Sequence, residues 1–166
     1  MELKNYKNCS SKKLFNQHVK KKSSFTKKTL YNKLIGFITK KGNKLSSLKI
    51  INAAFFKVSL NTNLSMHKII LQLFLKLNSF VEVKKVRVKR SFHLVPFQIT
   101  LKRRSYLIVK WLMQAVKSDK RNISITEKLA FEIEQTLKLE TSKSLKLRNS
   151  NITSALANRS NLHYRW

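Results

Sequence analysis

Acidic residues are scarce in this chain of 166 residues, which carries 7 Asp and Glu against 36 Lys and Arg and a formal net charge of +29. No acid lies between Glu2 and Glu82. A compact fold with this charge repels itself unless a polyanion neutralises it, and contacts with nucleic-acid phosphates release counterions and strengthen binding. An AT-rich coding bias would enrich Lys and Asn, but it would not remove acids from the first half of the chain. We therefore predict a nucleic-acid partner.

Cysteine, glycine, proline and long apolar runs are scarce as well. Cys9 is the only cysteine, so no disulfide can form within the chain. This is typical of a reducing or matrix-like compartment. The longest apolar stretch, 69–77, is interrupted by Gln72 and Lys76 and is too short to cross a bilayer. We predict no membrane partner.

The chain also lacks the clusters that catalysis or metal binding needs. The histidines stand far apart, without the spacing of metal ligands: His18, His67, His93 and His163. Closely spaced carboxylates occur only on one amphipathic segment, where a solvated face is more common than an acid–base pair: Glu127, Glu132 and Glu134. There is no Gly-rich phosphate loop and no nucleophile elbow. We predict that the chain is not an enzyme and needs no metal or cofactor.

Apolar residues recur at helical spacing over most of the chain from Leu30 onward. Gly42 and Asn43 are expected to end the first helix, Ser124 and Glu127 to form a capping box that begins a later one, and the last helix to run from about Asn149 to Asn161. Further stripes comprise Leu45, Leu48, Ile51, Phe55 and Val58; Ile69, Ile70, Leu73, Phe74 and Leu77; Leu107, Trp111, Leu112 and Ala115; and Ile125, Leu129, Ile133 and Leu137.

The segment 81–99 has a different pattern, in which Val alternates with basic residues. Such alternation predicts a two-stranded hairpin, with one face that packs and one that points cations at phosphates. The fold class that follows is mainly α: a helical bundle of about six helices with a protruding basic β-hairpin and a disordered basic N-terminal arm. We divide the chain into the arm, 1–28, and a single domain, 29–166.

Several basic and aromatic residues are candidates for binding nucleic acid. Lys102, Arg103 and Arg104 open a predicted helix, where a phosphate held between these cations and the free backbone N–H groups would offset their conflict with the helix dipole. Phe92 and His93, near the hairpin tip, could stack on an unpaired base, although such aromatics more often pack locally.

The end of the chain resembles ribosomal protein seven of the bacterial-type small subunit. That family closes its conserved domain with Asn-Arg, a few variable residues and His-Tyr-Arg-Trp, as at Asn158-Arg159 and 163–166 here. Four other segments resemble the family in the same order: Leu34 to Lys44, the Val-Glu-Val and Val-Pro-Phe pieces within 81–97, the stretch from Lys102 to Leu112, and 126–130. The family's usual Gly-Gly near the hairpin tip is replaced by Lys89 and Arg90, and a turn that needs positive φ would be strained by these side chains.

The resemblance implies a structural component of the small ribosomal subunit that binds its ribosomal RNA and organises the head domain, near the exit-side tRNA and messenger path, beside neighbouring head proteins. The RNA-binding residues that the resemblance implies are Lys84, Arg87, Lys102, Arg103, Arg104, Lys110, Lys146, Arg148 and Arg159. We add the two basic residues of the hairpin tip, Lys89 and Arg90, as further candidates. The Lys, Asn and Phe bias suggests an organelle genome, and we favour the mitochondrion over the plastid. A free-standing RNA- or DNA-binding regulator and a degenerate intron-type nuclease are the alternatives.

Overall fold

The computed structural model describes residues 29–139 and 142–165, which form α-helices, one hairpin and a closing 3-10 helix. The predicted mainly α fold with a hairpin is confirmed. The predicted arm lies outside the described residues, and the division into arm and single domain stays a prediction. The elements are α1 (29–38), α2 (Lys44–Thr62), α3 (Met66–Leu77), β1 (Val81–Val88), β2 (Ser91–Gln98), α4 (Leu101–Lys117), α5 (Ile125–Lys138), α6 (Lys143–Ala157) and the 3-10 helix (Arg159–Tyr164).

All six α-helices contribute side chains to one apolar core. Leu34, Phe55, Leu73, Leu112 and Ile133 are among its fully buried members. Each such side chain stabilises the fold by roughly 1.5–3 kcal/mol through removal of apolar surface from water. The helical spacing of apolar residues therefore predicted the core correctly over most of its length.

Two predicted core positions are exposed, Leu45 in the first turn of α2 and Ile125 at the first position of α5. Leu45 lies on the side of α2 opposite to the buried residues, because a helix turns by about 100° per residue.

Side-chain caps fix where three of the helices begin. Ser124 Oγ accepts a hydrogen bond from Glu127 N at 3.3 Å, as the predicted capping box requires at the start of α5. Asn43 Oδ1 accepts from Ser46 N at 3.2 Å and so begins α2. The prediction that Gly42 and Asn43 end the preceding helix was wrong, because α1 ends at residue 38. Gly42, with φ of 77°, lies in the link between the two helices.

The last α-helix begins earlier than its predicted start at Asn149. Ser142 Oγ accepts from Leu145 N at 3.1 Å and caps α6. The buried carboxylate of Glu132 accepts from Ser144 N at 2.9 Å. A carboxylate at this position also interacts favourably with the positive end of the dipole of α6. The Glu132 contact comes from α5, and nothing in the local sequence predicts it. The helix also ends earlier, at Ala157, and the chain continues as the 3-10 helix.

The hairpin pairs β1 with β2 in antiparallel register, with Val83 opposite Pro96 and Val88 opposite Ser91. The expectation of one basic face was wrong. Two consecutive lysines, Lys84 and Lys85, shift the alternation by one residue, so Val81 and Val83 lie on one face and the later valines on the other. Cations consequently stand on both faces.

The structure also fixes the hairpin's two ends. At the base, Asn151 Nδ2 of α6 donates to Val81 O at 2.8 Å. At the tip, Lys89 and Arg90 form a two-residue turn in which Lys89 has the left-handed φ of 53°.

Candidate nucleic-acid interface

The base of the hairpin is joined to the start of α4 by a bidentate ion pair. Arg103 donates from Nε to Glu82 Oε2 at 2.9 Å and from Nη2 to Glu82 Oε1 at 2.7 Å. The link between β2 and α4 is only two residues long, so the first turn of α4 is held beside the second residue of β1. The hydrogen bonds from Arg103 hold the pKa of Glu82 below its usual value, against a smaller opposing effect of burial.

Further cations gather around this ion pair. Lys84 and Lys110 are near enough to lower the pKa of Glu82 as well. Lys102 and Arg103 in turn act electrostatically on Lys33 of α1. We call Glu82 and these five cations the Glu82 cluster; the cations are Lys33, Lys84, Lys102, Arg103 and Lys110. One carboxylate among five cations leaves a strongly positive surface that an anion would stabilise.

Lys33 was not recognised in the sequence as part of this surface. Its Nζ donates to the carbonyl oxygen of Lys102, a residue 69 positions further along the chain. Its pKa is lowered by burial first, and then by repulsion from Arg103 and Lys102. No sequence pattern links Lys33 to α4, because only the packing of α1 beside the start of α4 brings them together.

The three predicted basic residues at the start of α4 have different surroundings. Lys102 is exposed, and Arg103 is exposed but paired with Glu82. Arg104 is half-buried, with its guanidinium 4.2 Å from the ring centroid of Phe80 and its Nε donating to Ile99 O at 3.2 Å. The side chain of Arg104 thus has protein partners, whereas the side chain of Lys102 has none among the described residues.

The part of the hairpin from 84 to 97, which we call the outer hairpin, presents cations over aromatic rings on both faces. Lys84 Nζ lies 5.3 Å from the ring centroid of Phe97, and the guanidinium of Arg87 lies 5.9 Å from that of Phe92. The two turn residues, Lys89 and Arg90, are exposed.

The two aromatics proposed for base stacking differ in their availability. Phe92 is exposed at the hairpin tip. His93 stacks on Tyr164 of the 3-10 helix with ring centroids 4.6 Å apart. His93 thus packs locally, as the alternative interpretation of the sequence expected, and Phe92 keeps an exposed ring.

The predicted C-terminal residues do not form one site. Lys146 on α6 and Arg159 at the start of the 3-10 helix are exposed, and their side chains have no hydrogen-bond or ion-pair partner among the described residues. Arg148 is half-buried, and its Nη1 donates to Lys76 O near the end of α3 at 2.7 Å. A cation at a helix C-terminus complements the helix dipole, so Arg148 has a structural role in the bundle.

Within residues 29–139 and 142–165, no three His, Cys, Asp or Glu side chains come together in a way that could hold a metal ion. None of the helices in that part of the chain is long and apolar enough to cross a membrane.

Comparison with known proteins identifies the family. The sequence profile of Ribosomal protein S7p/S5e matches residues 6–159. The chain belongs to the ribosomal protein S7 family. It is 33% identical over 138 residues to the small ribosomal subunit protein uS7 of Wigglesworthia glossinidia brevipalpis, covering 82% of this chain and 86% of that protein. It is also 34% identical over 125 residues to uS7c of Bigelowiella natans, covering 75% and 79%, and 28% identical over 151 residues to uS7m of Drosophila melanogaster, covering 81% and 68%.

Membership of the S7 family makes this chain a structural protein of the small ribosomal subunit, not an enzyme. The resemblance seen in the sequence is confirmed, whereas the two alternatives, a free-standing regulator and a degenerate nuclease, find no support in these matches. The family match begins at residue 6, within the predicted N-terminal arm, 1–28. Bacterial, chloroplast and mitochondrial relatives occur together, so an organellar ribosome fits the matches without being singled out.

Proposed function

We propose that this chain binds the small-subunit ribosomal RNA through the Glu82 cluster and the outer hairpin, and that it organises the head domain near the exit-side tRNA and messenger path, beside neighbouring head proteins. The observation that carries this proposal is the convergence of cations from α1, β1 and α4 around the ion pair of Arg103 with Glu82. Self-repulsion of such a cluster is relieved when phosphates replace the missing negative charge.

The chemistry of this surface suits a folded RNA backbone. Lys102 is exposed at the start of α4, where no acidic residue occupies the first turn and Thr100 makes no side-chain cap. A phosphate there would meet both an ammonium group and free backbone N–H groups. The hairpin carries further cations outward on both of its faces, and contacts of this type position a protein on RNA by shape and charge rather than by base sequence.

The proposed location is the mitochondrial ribosome, with the plastid ribosome as the alternative. The Lys, Asn and Phe bias of the chain favours an AT-rich organelle genome. The relatives include one protein of each organelle type.

Sucrose-gradient fractionation with sequencing of ultraviolet-crosslinked RNA tests this proposal. Co-migration with small subunits, and crosslinks in the head domain of the ribosomal RNA from peptides containing Lys84 or Lys102, are the expected result. Migration away from ribosomes, or crosslinks spread over unrelated RNAs, would refute it.

The salt dependence of RNA binding provides a test at the level of residues. Replacing Lys84, Lys102 and Lys110 with Ala should weaken binding, and the slope of log K against log salt should shrink by about 0.7–0.9 per lost phosphate contact. The matched control removes three exposed lysines outside the cluster, Lys68, Lys117 and Lys138, which lowers the net charge equally. Equal slopes for the two triple variants would show that RNA affinity depends on the total charge of the chain and not on the Glu82 cluster.

A further inference from the structure

One helix of the bundle carries apolar residues on two opposite sides. The core side of α2 is buried and includes Ile51, Phe55 and Val58. On the other side, Leu45, Phe56 and Leu60 are 73%, 64% and 61% exposed. Together with Ala53 and Lys49, both exposed, they recur at intervals of four, four, three and four residues. We call Leu45, Lys49, Ala53, Phe56 and Leu60 the outer stripe.

The outer stripe is not covered by the described part of the chain. One flank of α2 contacts α1, where Tyr31 Oη donates to Asn52 Oδ1 at 2.7 Å. The other flank contacts α5, where Lys57 Nζ lies 2.9 Å from Glu127 Oε1 and Asn61 Nδ2 donates to Glu134 Oε1 at 2.7 Å. Since both flanks and the core side are occupied, the outer stripe is the remaining side of the helix.

The spacing of the outer stripe is the spacing of a helix–helix contact. Residues three and four apart fall on one line along a helix, and from Leu45 to Leu60 this line is about 22 Å long at 1.5 Å per residue. A contiguous line of exposed apolar residues commonly marks a site of interaction with another protein. Ala53 in the middle of the stripe would let a second helix approach closely.

We propose that the outer stripe docks a helix of another protein, which presents apolar residues at intervals of three and four and an acidic residue opposite Lys49. Lys49 indicates that the partner is acidic at this point, because it lies within the apolar line and has no acidic partner among the described residues. A lysine inside an apolar contact is stabilised when a carboxylate faces it. This inference rests on the proposed function only in expecting the partner among small-subunit proteins.

Three other occupants fit less well. RNA phosphates match the single Lys49 but not Leu45, Phe56 and Leu60. A second copy of the chain would bring another lysine and no acid to the contact, and two chains of net charge +29 repel each other. The N-terminal arm, 1–28, has Glu2 as its only acid, so it offers little to balance Lys49.

Zero-length crosslinking tests the proposal on the full chain in its native assembly. A carbodiimide joins an amine to a carboxylate only where the two are in contact, and mass spectrometry then identifies both peptides. We expect Lys49 to be linked to an Asp or Glu of one protein, within a helix that has the stated apolar spacing. The proposal is overturned if Lys49 remains freely open to acetylation in the assembly, if the carbodiimide links it to a carboxylate of a second copy, or if ultraviolet light crosslinks it to RNA.

A double substitution tests the apolar part of the stripe. Phe56→Gln with Leu60→Gln keeps good helix formers on α2 and should reduce the amount of the crosslinked partner in the assembly at least tenfold, with unchanged thermal unfolding of the isolated chain. The matched control is Leu156→Gln on α6, a leucine 64% exposed, which should retain the partner. Full retention by the double variant contradicts the proposal.

These results separate the two proposals. If the chain enters small subunits while Lys49 stays open, only the docking proposal fails. If a helix of another protein is found docked on the outer stripe while this chain is absent from small subunits, only the proposed function fails.

Discussion

Replacing Glu82 with Gln should lower the stability of the fold and raise its affinity for RNA. The substitution keeps the shape of the side chain but removes the charge that Arg103 binds through two hydrogen bonds. The hairpin base then loses a link to α4, and Arg103 becomes an unpaired cation within the Glu82 cluster. The two effects have opposite signs because the ion pair stabilises the protein while it occupies a group that could bind a phosphate.

The expected loss of stability is about 1–2 kcal/mol. Charge-assisted hydrogen bonds contribute roughly 1.5–3 kcal/mol when desolvated, but the Arg103 side chain is 44% exposed, against 13% for Glu82. Solvent screening therefore reduces the figure. At about 2–4 °C per kcal/mol for a chain of this size, the melting temperature should fall by roughly 2–8 °C.

The pH dependence gives an independent check of the same pair. Since the pKa of Glu82 is lowered in the folded protein, the stabilisation is present above the unfolded carboxyl pKa of about 4.3. It is lost as the pH falls through the lower folded value. The stability difference between the natural chain and Glu82→Gln should thus be constant near neutral pH and shrink below about pH 4.

Thermal unfolding and hydrogen exchange of the hairpin amides measure the loss, and a double-mutant cycle with Arg103→Met isolates the coupling. The control is Lys57→Met, which breaks an ion pair whose side chains are 48% and 47% exposed; it should cost less than about 1 kcal/mol. RNA titrations should show tighter binding for Glu82→Gln and a salt slope steeper by up to about one unit. Additive single substitutions, or weaker RNA binding by a folded Glu82→Gln, would refute this account of Glu82.

Two further substitutions test the hairpin tip and the role of Arg148. Lys89→Gly should stabilise the hairpin by about 0.5–1 kcal/mol, because Lys89 has φ of 53° and glycine tolerates this conformation without a steric penalty; a lower melting temperature would contradict this. Arg148→Met should destabilise the fold by about 1–2 kcal/mol through loss of the hydrogen bond to Lys76 O, while the salt slope of RNA binding stays unchanged; a shallower slope would return Arg148 to the RNA-binding residues.

The helices were predictable because the spacing of apolar residues along each one shows which side is buried. Leu129 and Ile133 are fully buried on α5, as their spacing of four requires. The start of α5 was also predictable, since Ser124 and Glu127 are three residues apart and the capping hydrogen bond between them is local. The start of α6 depends on Glu132 of another helix, and local sequence holds no sign of that contact.

The hairpin illustrates a different limit. The alternation of valines predicted both strands, but the two adjacent lysines, Lys84 and Lys85, reversed the phase between the two halves of β1. The pairing register shows 81–88 as one strand without a bulge, so Val83 and Val86, three residues apart, lie on opposite faces. An alternation interrupted once predicts strands without predicting which face is basic.

The positive charge of the chain was evident from composition, but the availability of each cation depends on contacts between residues far apart in sequence. Arg103 meets Glu82 across 21 positions and Arg148 meets Lys76 across 72. Both arginines looked equivalent to Lys102 in the sequence, yet each satisfies a carboxylate or carbonyl of the protein itself. Because a cation that already has such a partner gains less from a phosphate, exposed lysines should contribute more to RNA affinity than these arginines. The fold therefore divides the basic residues into those that hold the bundle together and those left for a polyanion.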